Sequence, residues 1–154
     1  MPATIEQAFP SNLYGGRLTI DLDAIVSNWS LLKGKVNDST DCAAVLKADA
    51  YGTGQDKTAA ALYQAGCRTF FVAVPTEALT LRASLPDAVI YVLDGLFPGT
   101  ADHFLTHDLR PVLGSLEELL EWAEVCKASG KNNAAAVHVD TGIHRLGLSP
   151  AELT

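Results

Sequence analysis

Residues 69–95 read TFFVAVPTEALTLRASLPDAVIYVLDG. Two apolar runs, TFFVAV (69–74) and VIYVLDG (89–95), flank a stretch of helical pattern, TEALTLRASL (76–85). Near-continuous runs of Val, Phe, Ile and Tyr predict strands buried on both faces. A strand, a helix and a strand in so short a span form a βαβ unit, which lays its two strands parallel. Thr76 is followed three residues on by Leu79, so no capping box marks where this helix starts.

The same alternation continues on both sides. Strands are expected at CAAVLKA (42–48), RPVLG (110–114) and AAAVHVD (134–140). Between them, QDKTAAALYQAG (55–66) reads as a helix that Gly66 stops. SLEELLEWAEVCKASG (115–130) is the clearest helix. Leu116, Leu119, Leu120, Ala123 and Cys126 predict one apolar stripe, Ser115 with Glu118 resembles a capping box, and Gly130 is a natural stop. Near the start, Asp23 is the expected cap of AIVSNWSLLKGK (24–35), with Ile25, Trp29 and Leu32 on one face. Trp29 and Trp122 read as packing residues on these helices.

Repeating βα units imply a parallel sheet. A doubly wound sheet and a (β/α)8 barrel both give this pattern, and the pattern does not separate them. Five strand units are visible, whereas a full barrel needs eight and about 250 residues. The chain closes on SPAELT, where Ser149 and Pro150 read as the cap and first position of a helix barely begun. The expectation is a truncated chain or fragment.

Composition narrows the function classes. Of 154 residues, 48% are apolar and 19% charged, which describes a folded domain with a sizeable core. The formal charge of −7, without a basic run, argues against nucleic-acid or anionic-membrane partners. No apolar stretch approaches the ~20 residues of a membrane span. MPATIEQAFPSN (1–12) lacks the basic and apolar regions of a signal peptide. Cys42, Cys67 and Cys126 are odd in number and widely spaced, as expected of reduced thiols in the cytoplasm.

Lys47 carries the chemistry. It ends an apolar strand, and parallel α/β folds gather functional groups beyond the carboxyl ends of their strands. An uncharged amine there can condense with an aldehyde. Most lysines at strand ends are simply solvated, so the neighbours matter. Tyr51 can present a hydroxyl donor, and Gly52 and Gly54 let backbone approach a ligand. The glycines alone indicate no nucleotide site, since the third dinucleotide glycine and the P-loop lysine are missing. His103 and His107 would share a helix face, but no glutamate or third ligand accompanies them, so they read as solvated and no metal is expected. His138 reads as a strand residue, and His144 as a residue near the site or on the surface. Asp140 and Thr141 are expected to shape the turn that presents Arg145.

The run AVLKADAYGTG (44–54) resembles the pyridoxal-phosphate lysine motif of alanine racemases. A second segment, HVDTGIHRLGL (138–148), is similar to that family's D-T-G-M-x-R-L-G block. RLTIDLDAIVSNW (17–29) is similar to its first strand and helix, so the resemblance covers roughly residues 17–150. It implies a (β/α)8 barrel present as its first five or so units. Residues 1–154 would be the N-terminal part, with the later barrel strands and a C-terminal β-domain absent. It implies pyridoxal 5'-phosphate as cofactor and a two-base interconversion of L-alanine and D-alanine, supplying cell-wall peptidoglycan. Lys47 would carry the cofactor and act as one base. Tyr51 would contact the cofactor phosphate. Arg145 would serve the cofactor's phenolic oxygen and the substrate carboxylate with a forked guanidinium. Ile143 would lend its backbone amide to the substrate. The other base would be a tyrosine of the partner subunit in a homodimer, so this chain alone is expected to be inactive.

The sequence departs from the family pattern at four places. Asp49 and Thr53 stand where Asn and His are frequent, and Ile143 stands for Met. His138 stands where some members carry a carbamylated lysine that holds the arginine, so Arg145 needs other support. Rival readings are a non-catalytic pyridoxal-phosphate carrier barrel, a fragment that binds nothing, a racemase of another amino acid such as serine, and a decarboxylase of the same barrel class.

Overall fold

Five short strands stand side by side in chain order in a computed structural model that describes residue 13 and residues 15–131 and 133–153. They are β1 (Ala44–Val45), β2 (Thr69–Val72), β3 (Val89–Val92), β4 (Arg110–Leu113) and β5 (Ala136–Val137), each parallel to the next. A doubly wound sheet reverses its order at a switch point, whereas a barrel adds every strand on the same side. The order therefore selects the barrel, in its first five units. Residues 1–12, read above for a leader, lie outside the described residues.

The helices are α1 (Leu22–Lys33), α2 (Gln55–Gln64), α3 (Pro75–Ser84), α4 (Ala101–Thr106) and α5 (Leu116–Ser129), followed by a 3-10 turn at Pro150–Leu153. They pack on one face of the sheet, where Phe70, Val72, Ile90, Val92, Pro111 and Leu113 are fully buried. Each such side chain contributes about 1.5–3 kcal/mol by leaving water. Phe104 meets Trp122 edge-on at 6.4 Å and joins α4 to α5. Among the described residues, no helix is long and apolar enough to cross a membrane.

The sequence predicts burial on both faces of the strands, and the structure shows it on one. Along β2, β3 and β4, buried residues alternate with half-buried ones. The second face carries a row set by the strand register, Phe71 beside Tyr91 beside Arg110. Phe71 and Tyr91 stack at 4.9 Å, and Arg110 donates to the Tyr91 hydroxyl at 3.2 Å. Five strands do not close on themselves, so among the described residues no facing strand covers this row.

Three local expectations shift. Asp21, not Asp23, caps α1 and accepts the Ala24 amide at 3.0 Å, while Asp23 lies in the first turn beside the positive helix end. Pro75 starts α3, and Glu77 sits at its third position. In α5, Ser115 caps as expected, but Glu118 returns to the Gly114 amide at 2.6 Å rather than to Ser115. The predicted stripe is also displaced. Leu116 and Leu120 are 44% and 64% exposed, while Leu119, Val125 and Cys126 pack inward with buried Trp122. Trp122 is the largest apolar group on the helix, and burying it turns Leu120 outward.

At the chain's later end, Ser149 donates through both its amide and its hydroxyl to Glu152 at 2.7 Å, capping a 3-10 turn where an α-helix was expected. These bonds hold the Glu152 carboxyl below its ordinary range. All three cysteines are free. Burial pushes the Cys67 thiol up to about 11, which keeps it a packing residue rather than a nucleophile.

Candidate active site

Pairing continues past β1 through the Leu46 amide, which donates to the Phe71 carbonyl at 2.7 Å. Leu46 is buried, and Lys47 follows at the carboxyl end of the strand, half-buried. There the chain enters a left-handed helical turn, Lys47–Gly52. Ala48, Asp49, Ala50 and Tyr51 all have φ between 52° and 55°. None is glycine, and each left-handed residue with a Cβ costs about 1–2 kcal/mol. Such strain persists only where its surroundings enforce it.

The surroundings are explicit. Ala50 is buried, and its amide donates to the Leu46 carbonyl at 2.9 Å. Asp49 accepts the Gln55 amide through Oδ1 at 2.7 Å, which fastens the turn to the start of α2. Thr53 Oγ1 donates to the Ala50 carbonyl at 2.7 Å. Glu77, from the start of α3, accepts the Ala48 amide at 2.8 Å. The Lys47 amine has no hydrogen-bond or ionic partner among the described residues, and neither has the hydroxyl of Tyr51, which is 66% exposed. One short segment thus presents an unengaged amine and an unengaged phenol.

The second segment leaves β5. His138 donates its amide to the Leu113 carbonyl at 2.8 Å, then the chain loops out and returns. The loop closes where Asp140 donates to the Leu148 carbonyl at 2.9 Å and Leu148 to the His138 carbonyl at 2.8 Å. Asp140 organises the loop from inside. Its Oδ1 accepts the amides of Gly142, Ile143 and His144 at 2.9–3.0 Å, and its Oδ2 pairs with His144 Nδ1 at 2.9 Å. The Gly142 and His144 amides stabilise the charged carboxylate and lower its pKa to about 2. Asp140 shapes this turn as expected of it, whereas no side-chain bond of Thr141 contributes.

Gly147 completes the closure, with φ at +102°. A Cβ there would stand 2.9 Å from both the Asp140 amide nitrogen and the His138 ring. His138 therefore packs beneath the loop. Arg145 is exposed at the tip without an ion-pair partner among the described residues. Ile143 is 84% exposed, and its amide, expected to face a substrate, donates to Asp140 instead.

Lys47 and Arg145 both lie beyond the carboxyl ends of parallel strands, hence at the same end of the sheet. They follow its two outermost strands, so five strands hold them at opposite edges. A cleft of about 750 Å³ borders the Lys47 turn, lined by Ile20, Leu22, Asp49, Gly52, Lys57 and Thr80. Lys47, Tyr51 and Arg145 do not line it. His103 and His107 are exposed at α4, and no group of three metal-binding side chains gathers among the described residues. Sequence reasoning missed Glu77; its signal was Pro75 followed two residues on by an acid, a helix start that aims a carboxylate back at strand ends.

Residues 20–154 match the family model described as alanine racemase, N-terminal domain. An alanine racemase of Methylobacterium sp. (strain 4-46) is 58% identical over 90% of this chain and 38% of its own length. The crystal structure of alanine racemase from Bartonella henselae with covalently bound pyridoxal phosphate is similar with a TM-score of 0.83. It has 44% identity over 87% of this chain and 39% of that one. The alanine racemase from E. faecalis gives 0.80 at 28% identity, over 87% of this chain and 37% of that one. The chain thus spans under two fifths of the length of these relatives.

Proposed function

Because the chain belongs to the alanine racemase N-terminal domain family, we propose that it is the lysine-bearing portion of a pyridoxal-phosphate enzyme that interconverts L-alanine and D-alanine. The observation that carries this reading is the unpartnered Lys47 amine, held at a strand end by a strained turn. A relaxed loop would present a lysine more cheaply, so the strain argues for a use of that amine.

The residues present fit such a cofactor. A primary amine suits its aldehyde, and an unengaged phenol and guanidinium suit its anionic groups. Lys47 would hold it, Tyr51 would donate a hydrogen bond to its phosphate, and Arg145 would hold its phenolic oxygen or a substrate carboxylate. When bound, the cofactor supplies an electron sink that loosens the α-proton of an amino acid. Lys47 Nζ would take or return that proton on one face of the α-carbon. Racemisation needs a second acid-base group on the opposite face, so the chain acts as part of a larger site, shared between the subunits of a homodimer. A small amino acid is its substrate, and the free cysteines and acidic charge suit the cytoplasm rather than a nucleic-acid or membrane surface.

The test is chemical. The chain is mixed with pyridoxal phosphate, reduced with borohydride and mapped by peptide mass. Label concentrated on Lys47, and lost in Lys47→Ala, is the expected result. Label spread over the chain's lysines would sink the assignment.

A further inference from the structure

Glu77 is half-buried at the third position of α3, and its two carboxylate oxygens serve different parts of the chain. Oε2 accepts the amides of Ala73 and Val74 at 2.8 and 3.4 Å, an ordinary duty for an acid in a first helical turn. Oε1 reaches into the neighbouring βα unit and accepts the Ala48 amide at 2.8 Å. That amide belongs to the planar peptide that begins at the Lys47 carbonyl, so holding it fixes the rotation of Lys47 about its Cα–C bond. The Glu77 carbonyl also accepts Gln55 Nε2 at 3.0 Å, and Gln55 in turn gives its amide to Asp49. The left-handed turn is thus tied to this one residue twice, directly at Ala48 and through Gln55 at Asp49.

The fourth unit has an acid at the same place that bonds no amide of the third among the described residues. Glu118 sits at the same position of α5 and accepts the Gly114 amide at 2.6 Å. Its oxygens lie 2.7 Å from where a Cβ on Gly95 would stand, so it abuts the exit of β3 as Glu77 abuts the exit of β1. The neighbour in the first pair is the turn of a free lysine.

We infer that Glu77 is the positioning residue of Lys47: its bridge from α3 to the Ala48 amide sets the left-handed turn and thereby aims the amine at its cofactor. The role rests on the cofactor reading of Lys47.

Glu77→Asp tests it. One methylene shorter, the carboxylate keeps its place at the start of α3 and no longer spans to Ala48. Two readouts are taken on the whole chain, amide exchange of residues 46–52 and borohydride-trapped label on Lys47. In Glu77→Asp, exchange of the turn rises about tenfold while the end of α3 keeps its protection. Trapped label falls about tenfold at subsaturating cofactor. The control Glu118→Asp leaves both readouts at the turn unchanged. If Glu77→Asp exposes all of α3, Glu77→Gln decides, because an amide keeps one accepting oxygen and must release one of the two strand exits. Equal trapping in wild type and these variants overturns the positioning role and leaves the cofactor reading standing. Absence of label from wild-type Lys47 removes that reading and the aiming role with it, whatever exchange reports about the bridge.

Discussion

The Asp49 carboxylate accepts the Gln55 amide at 2.7 Å, across the left-handed turn that follows Lys47. The bond uses only an accepting oxygen, and asparagine carries one too. Asparagine also enters left-handed backbone more readily than most residues. Asp49→Asn should therefore change stability by less than about 0.5 kcal/mol, whereas Asp49→Ala should lose about 1–2 kcal/mol. Urea denaturation of the two variants checks this. Equal losses would mean that charge rather than the bond holds the turn.

The Asp140 loop has a pH signature of definite sign. Its carboxyl titrates near 2 in the folded chain against 3.8 ordinarily, because the Gly142 and His144 amides bind the charged form. A depressed carboxylate stabilises the fold fully above its unfolded value, and that contribution is lost as pH falls towards 2. Amide exchange at residues 142–144 should be pH-normal above 5 and accelerate selectively below about 4. Asp140→Asn should abolish the selective step. A loop whose exchange follows the same acid profile in both proteins would contradict the assignment.

The displaced stripe of α5 makes a paired prediction. Trp122 is buried and touches Phe104, while Leu120 is 64% exposed. Trp122→Ala should destabilise by about 3–5 kcal/mol, a large part of a typical domain's total. Leu120→Ala should stay within about 0.5 kcal/mol. Thermal melts of both variants measure the contrast, and a large loss at Leu120 would restore the stripe expected from spacing alone.

Much of the fold was readable from local pattern. All five strands fall inside the apolar runs that predict them, and Ser115 and Gly130 bound α5 as expected. Choosing between two parallel architectures was not local. It required strand order, which no single segment carries. The Leu116–Leu120 error has a different origin. Both leucines satisfy helical spacing, and only the size of Trp122 against Phe104 decides which way the helix rolls. Asp21 rather than Asp23 caps α1 because the helix starts at Leu22, a boundary that periodicity leaves open by two residues.

The site divides in the same way. Lys47, Tyr51 and Arg145 stand out in the sequence because they fall in blocks that resemble a family's motifs, and the structure leaves the side chain of each without a partner among the described residues. The shape of the Lys47 turn was not legible, since Ala-Asp-Ala-Tyr has no glycine to announce positive φ. One of the contacts that hold it, Glu77 on the Ala48 amide, comes from the next βα unit. The engagement of the Ile143 amide by Asp140 was equally hidden, because the two residues read separately as a substrate contact and a turn former.

A sheet whose spatial order repeats its chain order has a bearing on how it is made. Ala44 pairs with Phe70, and Tyr91 with Arg110, each with the strand synthesised just before or just after it. Low sequence separation between partners favours fast pairing. Each βα unit leaving the ribosome meets an edge already waiting. The lysine turn sits in the first unit, but its bracket, Glu77, arrives with the second. Lys47 therefore gains that bracket only when the second unit has docked, early in synthesis and well before Arg145 exists.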